Sequence, residues 1–471
     1  MEHAGATPPR TLHPQLERRL RDALGEDALL TDPGECLAYG YDNSRRQAMP
    51  AAVALPREVA QVQALVAACR EACMPVVARG RGTNTTGASV PSAGGLVVGF
   101  ERMDRLLRLA PEDRLAVVEP GLLNGRLQEA AAEHGFFWPP DPTSAPYCTI
   151  GGNIATNAGG PAAVKYGATR DNVLGLALVA GTGELIRCGG ATTKASTGYD
   201  FTRFIIGSEG TLGLVVEATL KLSPRPTARR ALRALYDSVE SAAAAVARLM
   251  AQPVVPAMLE FMDGDCVRLA REVGGADIPA ADALLMIEAD GDPDTLAHAV
   301  AALGRAADGP GAIAIDDAPD EAARAKLWAA RKALSPALRT IAPGKINEDV
   351  VVPVSRIPAL VEAVRALARQ HSLTIVCFGH AGNGNLHTNI LYNPADADES
   401  RRAEAATHGV FDAVLALDGT LSGEHGIGLA KRDFMTRAVD APTLAMMRAV
   451  KAQFDPHGIM NPGKLLPSQL G

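Results

Sequence analysis

Residues 149–160 read T-I-G-G-N-I-A-T-N-A-G-G. So many glycines and small polar residues do not make a packed core element; they suit backbone that wraps a large polar ligand at close range. P-P-D-P-T-S at 139–144 stands just ahead of it. A related block lies upstream, R-G-R-G-T-N-T-T-G at 79–87, after a strand-like M-P-V-V-A at 74–78. It is no Walker loop, because Ala88 stands where a lysine is needed. Nor is it the Rossmann fingerprint: the third glycine falls at the wrong offset, and a strand over 95–100 follows instead of a helix. What remains is a loop whose backbone N–H groups can form a nest for phosphate. I-G-S-E-G-T-L-G at 206–213 is a third block of the same kind. Three such blocks between residues 79 and 213 imply an extended cofactor lying across one domain.

S-P-R-P-T at 223–227 reads as a linker. Beyond it, Ala-rich helices over 239–251, 296–307, 321–337 and 356–370 alternate with strands over 283–289, 349–354 and 374–378. That pattern predicts α+β architecture, with helices packed on one antiparallel sheet. A chain of 471 residues exceeds one ordinary core. The expected division is 1–226 (with an N-terminal extension, 1–45), 227–444, and 445–471 returning to the first domain. Residues 12–30 read as a helix, with leucines at near-helical spacing.

Within the second half, residues 380–387 read H-A-G-N-G-N-L-H between the apolar runs 373–378 and 386–391. A Gly/Asn turn between two strands makes a hairpin, which brings His380 at its mouth close to His387. Alternation along a strand puts His387 and Asn389 on one face. Two neutral imidazoles on one wall are half of a divalent-metal site. S-G-E-H-G-I-G at 422–428 supplies a carboxylate, Glu424. Two histidines and Glu424 complete a three-ligand site with an open position for substrate, and His425 then stands where a base is useful.

A net charge of -7 argues against nucleic acid as the main partner. Apolar stretches are strand-sized, and the N-terminal residues lack a signal pattern. A cytoplasmic location is expected, including the cytoplasmic face of a membrane reached through a partner. Seven cysteines are scattered; Cys69 and Cys73, one helical turn apart, read as small buried apolar residues. Without a C-x-x-C run, the chain is not expected to hold an iron–sulfur cluster itself.

The glycine-rich blocks in this order, with K-Y-G at 165–167, resemble the FAD domain of the vanillyl-alcohol oxidase / p-cresol methylhydroxylase superfamily. G-H-A-G-N-G-N-L-H, S-G-E-H-G-I-G and N-P-G-K resemble its FAD-linked D-2-hydroxyacid dehydrogenase branch, which includes D-lactate dehydrogenase, the glycolate oxidase flavin subunit and D-2-hydroxyglutarate dehydrogenase. The resemblance spans roughly residues 40–467. It implies a two-part FAD-binding domain plus an α+β substrate domain. Arg79, Gly80, Gly82, Thr83, Asn84 and Thr85 would hold the pyrophosphate. Pro140, Asp141, Thr143, Gly151, Gly152, Asn153 and Asn157 would line the dinucleotide and flavin. Gly207, Glu209, Gly210 and Val215 would contact the adenosine side, and Asn461 would return to the flavin.

The same resemblance makes His380, His387 and Glu424 the metal ligands, His425 the base and Arg331 the anchor of the substrate carboxylate. Ser335, Lys345 and Asn389 join the substrate set. FAD is expected to be non-covalent, with Cys148 the one conceivable thioether partner. A flavin makes a redox-active iron redundant, so Zn²⁺ is favoured, with Mn²⁺ next. The implied reaction oxidises a D-2-hydroxy acid to the 2-oxo acid, with D-lactate first and glycolate or D-2-hydroxyglutarate as alternatives. Its electron acceptor would be a quinone, an electron-transfer flavoprotein, a cytochrome or an iron–sulfur protein. A homodimer and, more distantly, an oxygen-using alcohol or sugar oxidase are further expectations.

Overall fold

A computed structural model describes residues 11–318 and 320–467, without the side chains of residues 330, 332, 333, 335 and 336. The chain divides into two compact units. One runs to Gly159 and adds Gly167–Arg225 and Glu424–Gly471; the other comprises Gly160–Tyr166 and Pro226–Gly423. The return to the first unit therefore begins at Glu424, earlier than residue 445, and residues 160–166 belong with the second unit.

In the first unit a helix over Pro14–Leu24 starts where His13 caps the amide of Gln15 and proline opens the first turn. It is shorter than the 12–30 expected, because Gly25 at φ +92° ends it and a strand pair at Leu29–Leu30 follows. Leu16, Leu20 and Leu24 fall on one face and enter the core beside the helix Val59–Glu71. That core backs a four-stranded sheet ordered Leu29–Leu30, Ala52–Ala54, Leu96–Gly99, Val76–Arg79. A five-stranded antiparallel sheet runs Leu106–Ala110, Leu115–Val118, Gly213–Lys221, Val173–Ala180, Leu185–Gly189.

Three local readings are corrected here. The block at 149–160 is not wholly irregular: Ile150–Thr156 is a helix, capped by Thr149 Oγ1 accepting from Gly152 N at 3.1 Å. Ile150 and Ile154, one turn apart, are fully buried and outweigh the poor helix propensity of the glycines. Of the close cysteine pair, Cys69 is buried but Cys73 is exposed, in a left-handed conformation just past the helix end. Within the 223–227 linker, Ser223–Pro224 also forms a short strand pairing with Phe136–Phe137.

The second unit is built on one antiparallel sheet of seven strands: β1 Ala228–Tyr236, β2 Met258–Asp263, β3 Ala283–Gly291, β4 Ala312–Ala318, β5 Gly344–Val351, β6 Thr374–Gly379 and β7 Asn385–Tyr392. Their order is β4-β1-β3-β2-β6-β7-β5. Leu235, Met262, Leu284, Met286, Val376, Phe378 and Leu391 form the apolar part of one face. Leu334 and Leu338 of the helix Glu321–Ile341, with Cys266 and Val267 of the helix Gly264–Glu272, cover it. Lys165 and Tyr166 tie residues 160–166 to this unit, both donating to the Asp290 carboxylate. Among the described residues no helix is long and apolar enough to cross a membrane.

Candidate functional site

β6 and β7 form the hairpin foreseen around 380–387, joined through a single 3₁₀ turn at Ala381–Asn383. Gly384 closes that turn at φ +73°, where an added Cβ would lie 1.9 Å from the Val352 carbonyl oxygen. Only glycine fits there. The hairpin sets the His380 and His387 rings 5.2 Å apart at an interplanar angle of 88°. Both side chains are buried.

Two buried acids stand beside this pair, Glu260 bonded to His380 and Asp349 with its Oδ1 4.0 Å from His387 Nδ1. Glu260, on β2, receives the His380 Nδ1 on Oε1 and the Arg331 Nε on Oε2, the latter at 2.9 Å. Burial works against its charge, yet His380 and Arg331 hold its carboxyl down at about 2. The Arg331 guanidinium also lies 4.4 Å over the Phe378 ring. Asp349, on β5, is the cross-strand partner of His387. Its Oδ1 accepts from Asn385 Nδ2 at 2.7 Å, and its Oδ2 accepts from Ser422 Oγ and Gly423 N, each at 2.9 Å. The chain is thus pinned at the residue immediately before Glu424.

Asn389 is fully buried, two positions along β7 from His387. It faces Asn347 of β5 in register. The Oδ1 atoms of both asparagines are buried without a hydrogen-bond partner. Lys345 lies two residues before Asn347 on the same strand face. The side chain of Ser335 lies outside the described residues.

Sequence inspection missed Glu260, Asp349 and Glu288. The last is buried and accepts from Arg324 Nη1 at 3.0 Å and Trp328 Nε1 at 2.9 Å. A signal was available: a single acid inside an apolar run, as in M-L-E-F-M or L-L-M-I-E-A, must find partners if the run is buried.

In the first unit, the residues assigned to FAD separate into two groups. Arg79 is buried and donates to the Tyr41 and Ala38 carbonyls. Asn84 Nδ2 donates to the His425 carbonyl at 2.8 Å, while its Oδ1 accepts from Thr86 N. The Glu209 carboxylate accepts from Ile427 N and Gly428 N at 2.6 and 2.8 Å; burial pushes it up to about 7. Asn461 Nδ2 donates to the Ala88 and Glu209 carbonyls. Asn84, Glu209 and Asn461 therefore knit the 79–92 loop, the 424–428 segment and the C-terminal N-P-G-K together, while Arg79 ties that loop to residues 38–41.

The second group is open to a ligand. Thr85 Oγ1 and Asn153 Nδ2 are buried polar atoms without a hydrogen-bond partner. Gly80, Arg81, Gly121, Leu123 and Thr149 line a recess. Gly207 and Gly210, at φ +89° and +71°, turn the backbone of the third block. Gly151 and Gly152 lie in the short helix and Asn157 ends it, its Oδ1 accepting from Arg170 N. Pro140 is buried, Asp141 half-buried, Thr143 exposed, and Val215 lies half-buried in its strand. Orphaned polar atoms beside glycine-rich turns fit a dinucleotide.

Residues 50–189 match the family "FAD binding domain", and residues 225–465 match "FAD linked oxidases, C-terminal domain". Glycolate oxidase subunit GlcD of Bacillus subtilis is 38% identical, covering 91% of this chain and 92% of the relative. D-2-hydroxyglutarate dehydrogenase of Stutzerimonas stutzeri is 35% identical over 96% and 99%. The mitochondrial D-lactate dehydrogenase [cytochrome] of Arabidopsis thaliana is 33% identical over 94% and 78%. Among solved structures, p-cresol methylhydroxylase with substrate bound superposes with a TM-score of 0.81 over 98% of both chains, at 15% identity.

Proposed function

The chain belongs to the FAD-linked D-2-hydroxyacid dehydrogenase branch of the vanillyl-alcohol oxidase / p-cresol methylhydroxylase superfamily, and from that premise we propose a metal-assisted oxidation of a D-2-hydroxy acid, D-lactate first, to its 2-oxo acid. Electrons then pass to an acceptor other than oxygen. FAD, when bound, supplies the hydride acceptor, and a divalent cation, Zn²⁺ or next Mn²⁺, supplies a Lewis acid for the substrate oxygens. The assignment of the protein to the cytoplasm, at a membrane face through a partner if at all, belongs to the same proposal.

The chain's own residues do the rest. His380, His387 and Glu424 would hold the cation. Arg331 pairs with the substrate carboxylate and so fixes which face of the α-carbon is presented. Asn389, Ser335 and Lys345 would complete the substrate set. His425 takes the hydroxyl proton onto its imidazole, a step worth about 10²–10⁴-fold. FAD stays non-covalent: the Cys148 thiol is buried, and burial raises its pKa, away from the nucleophilic thiolate.

The observation that carries this reading is the imidazole pair on the hairpin, each ring next to a buried acid. His380 is hydrogen-bonded to Glu260, the way ligating imidazoles are commonly held by a carboxylate, while His387 Nδ1 lies 4.0 Å from Asp349 Oδ1. The neutral amides of Asn347 and Asn389 suit a small substrate with one carboxylate. Lys345 on the same strand favours the second reading, a dicarboxylate such as D-2-hydroxyglutarate.

Anaerobic titration of FAD-loaded protein with a panel of D- and L-hydroxy acids tests the proposal by flavin bleaching. Bleaching is expected with D-lactate ahead of glycolate and D-2-hydroxyglutarate, and should fall away after chelator treatment. His425→Ala should keep FAD and metal while losing bleaching. Bleaching that survives metal removal refutes the metal's part, and peroxide formed in proportion to substrate would favour the oxygen-using alternative.

A further inference from the structure

We propose that Glu260 is a positioning residue whose single carboxylate holds a metal-ligating imidazole on one oxygen and the substrate's arginine on the other, setting cation and substrate carboxylate in register. This rests on the reading above of His380 as ligand and Arg331 as anchor.

The geometry is specific. Glu260 is wholly buried in the middle of β2, with Met286 of β3 as its cross-strand partner. A carboxylate there is costly unless it is paired and hydrogen-bonded. Both oxygens are engaged: Oε1 with His380 Nδ1, Oε2 with Arg331 Nε. An ionised acid is an acceptor only, so Nδ1 carries the proton and Nε2 keeps its lone pair. That is the tautomer a cation needs. On the other side, Glu260 takes Nε of Arg331, and the bidentate fork of terminal nitrogens is the part of a guanidinium suited to a carboxylate. Phe378 beneath the guanidinium fixes its plane. A change at either partner is therefore felt at the other through one rigid side chain.

The test separates positioning from a merely structural ion pair. Glu260→Gln keeps the shape, but one amide oxygen cannot accept from both partners. Metal-stripped protein is titrated with Zn²⁺ against a chromogenic chelator, without substrate. The expected loss of Zn²⁺ affinity is about 10–100-fold. In steady state, KM for the hydroxy acid should rise alongside, because Arg331 loses its hold. Glu260→Asp keeps the charge but reaches only one partner at a time, so it should recover part of the loss. His387→Ala is run in parallel. If His387→Ala abolishes Zn²⁺ binding while Glu260→Gln retains the parental affinity and KM, the role of Glu260 is overturned and the site reading stands. If His387→Ala also binds Zn²⁺ as the parent does, the site reading itself falls. Should Glu260→Gln not fold, Glu260→Asp decides: parental affinity and KM in that variant overturn the proposal.

Discussion

Replacing Asp349 by Asn changes almost no volume and removes one charge from a side chain that solvent does not reach. Three donors converge on that carboxylate: Asn385 Nδ2 at 2.7 Å, Ser422 Oγ at 2.9 Å and Gly423 N at 2.9 Å. An asparagine keeps one acceptor oxygen and turns an NH₂ toward the other side. Oxygen toward the loop saves the two bonds to Ser422 and Gly423 but sets NH₂ against NH₂ at Asn385. Asn385 resists flipping, because its Nδ2 also donates to the Val350 carbonyl at 3.0 Å. Losing one bond to an ionised group costs about 1.5–3 kcal/mol, and two more fall to neutral strength. The sum is about 3 kcal/mol for the second unit. The loosened Gly423 is one Cα step, about 3.8 Å, from Glu424. A drop in Zn²⁺ affinity of about 10-fold should therefore accompany the loss of stability. Urea unfolding followed by near-UV circular dichroism reads the first effect, and chelator competition the second. A variant within about 0.5 kcal/mol of the parent, with unchanged Zn²⁺ affinity, would show that Asp349 does not tether the loop.

Two further perturbations probe the frame around the site. Gly384→Ala combines a left-handed backbone, about 1–2 kcal/mol for an L residue, with a Cβ placed 1.9 Å from the Val352 carbonyl oxygen. It should lower the melting temperature markedly or abolish soluble protein; melting at the parental temperature would contradict the turn geometry. Asp263 caps the helix Gly264–Glu272 through Cys266 N and also accepts from Cys377 N; burial raises its carboxyl from 3.8 to about 6. Because the folded pKa is the higher one, the folded state holds the extra proton between the two values. Its contribution is greatest below 3.8, is lost as pH rises to about 6, and is constant above; the integral is at most about 3 kcal/mol. Asp263→Asn should flatten this part of the stability–pH curve while costing stability overall, since its NH₂ meets a backbone N–H. Parallel curves for parent and variant, measured by urea midpoints between pH 4 and 7, would count against it.

Much of the architecture was legible because glycine and alternation leave local marks. Gly82, Gly87, Gly207 and Gly210 all take positive φ, which is why the glycine-rich blocks stand out in the sequence. The hairpin was legible because Gly384 sits at a turn position that admits no side chain. The α+β sheet followed from β-branched and aliphatic runs separated by Ala-rich helices. What stayed hidden depends on partners distant in the chain. Glu260 and His380 are 120 residues apart, Asp349 and Ser422 are 73 apart, and no local pattern links them. The return of 160–166 to the second unit rests on Asp290, more than a hundred positions away from Lys165 and Tyr166. The helix Ile150–Thr156 was obscured by its glycines, although two isoleucines at helical spacing marked its buried side.

The buried acids also explain the placement of the helix Glu321–Ile341. Its apolar residues, such as Leu334 and Leu338, pack on aliphatic side chains that would tolerate a shifted neighbour. Its polar residues do not. Arg324 and Trp328 meet Glu288 on β3, and Arg331 meets Glu260 on β2, all from one stripe of the helix. Sliding the helix by one residue would swing that stripe away, taking Arg324 from Glu288 and Arg331 from Glu260 and leaving the two carboxylates only Arg229 at 3.5 Å and His380. Breaking a buried pair in this way costs about 3–5 kcal/mol each. Hydrophobic burial therefore holds the helix on the sheet, while the charge pairs select its register. That register is what delivers Arg331 to Phe378 and Glu260, one strand away from the His380–His387 hairpin.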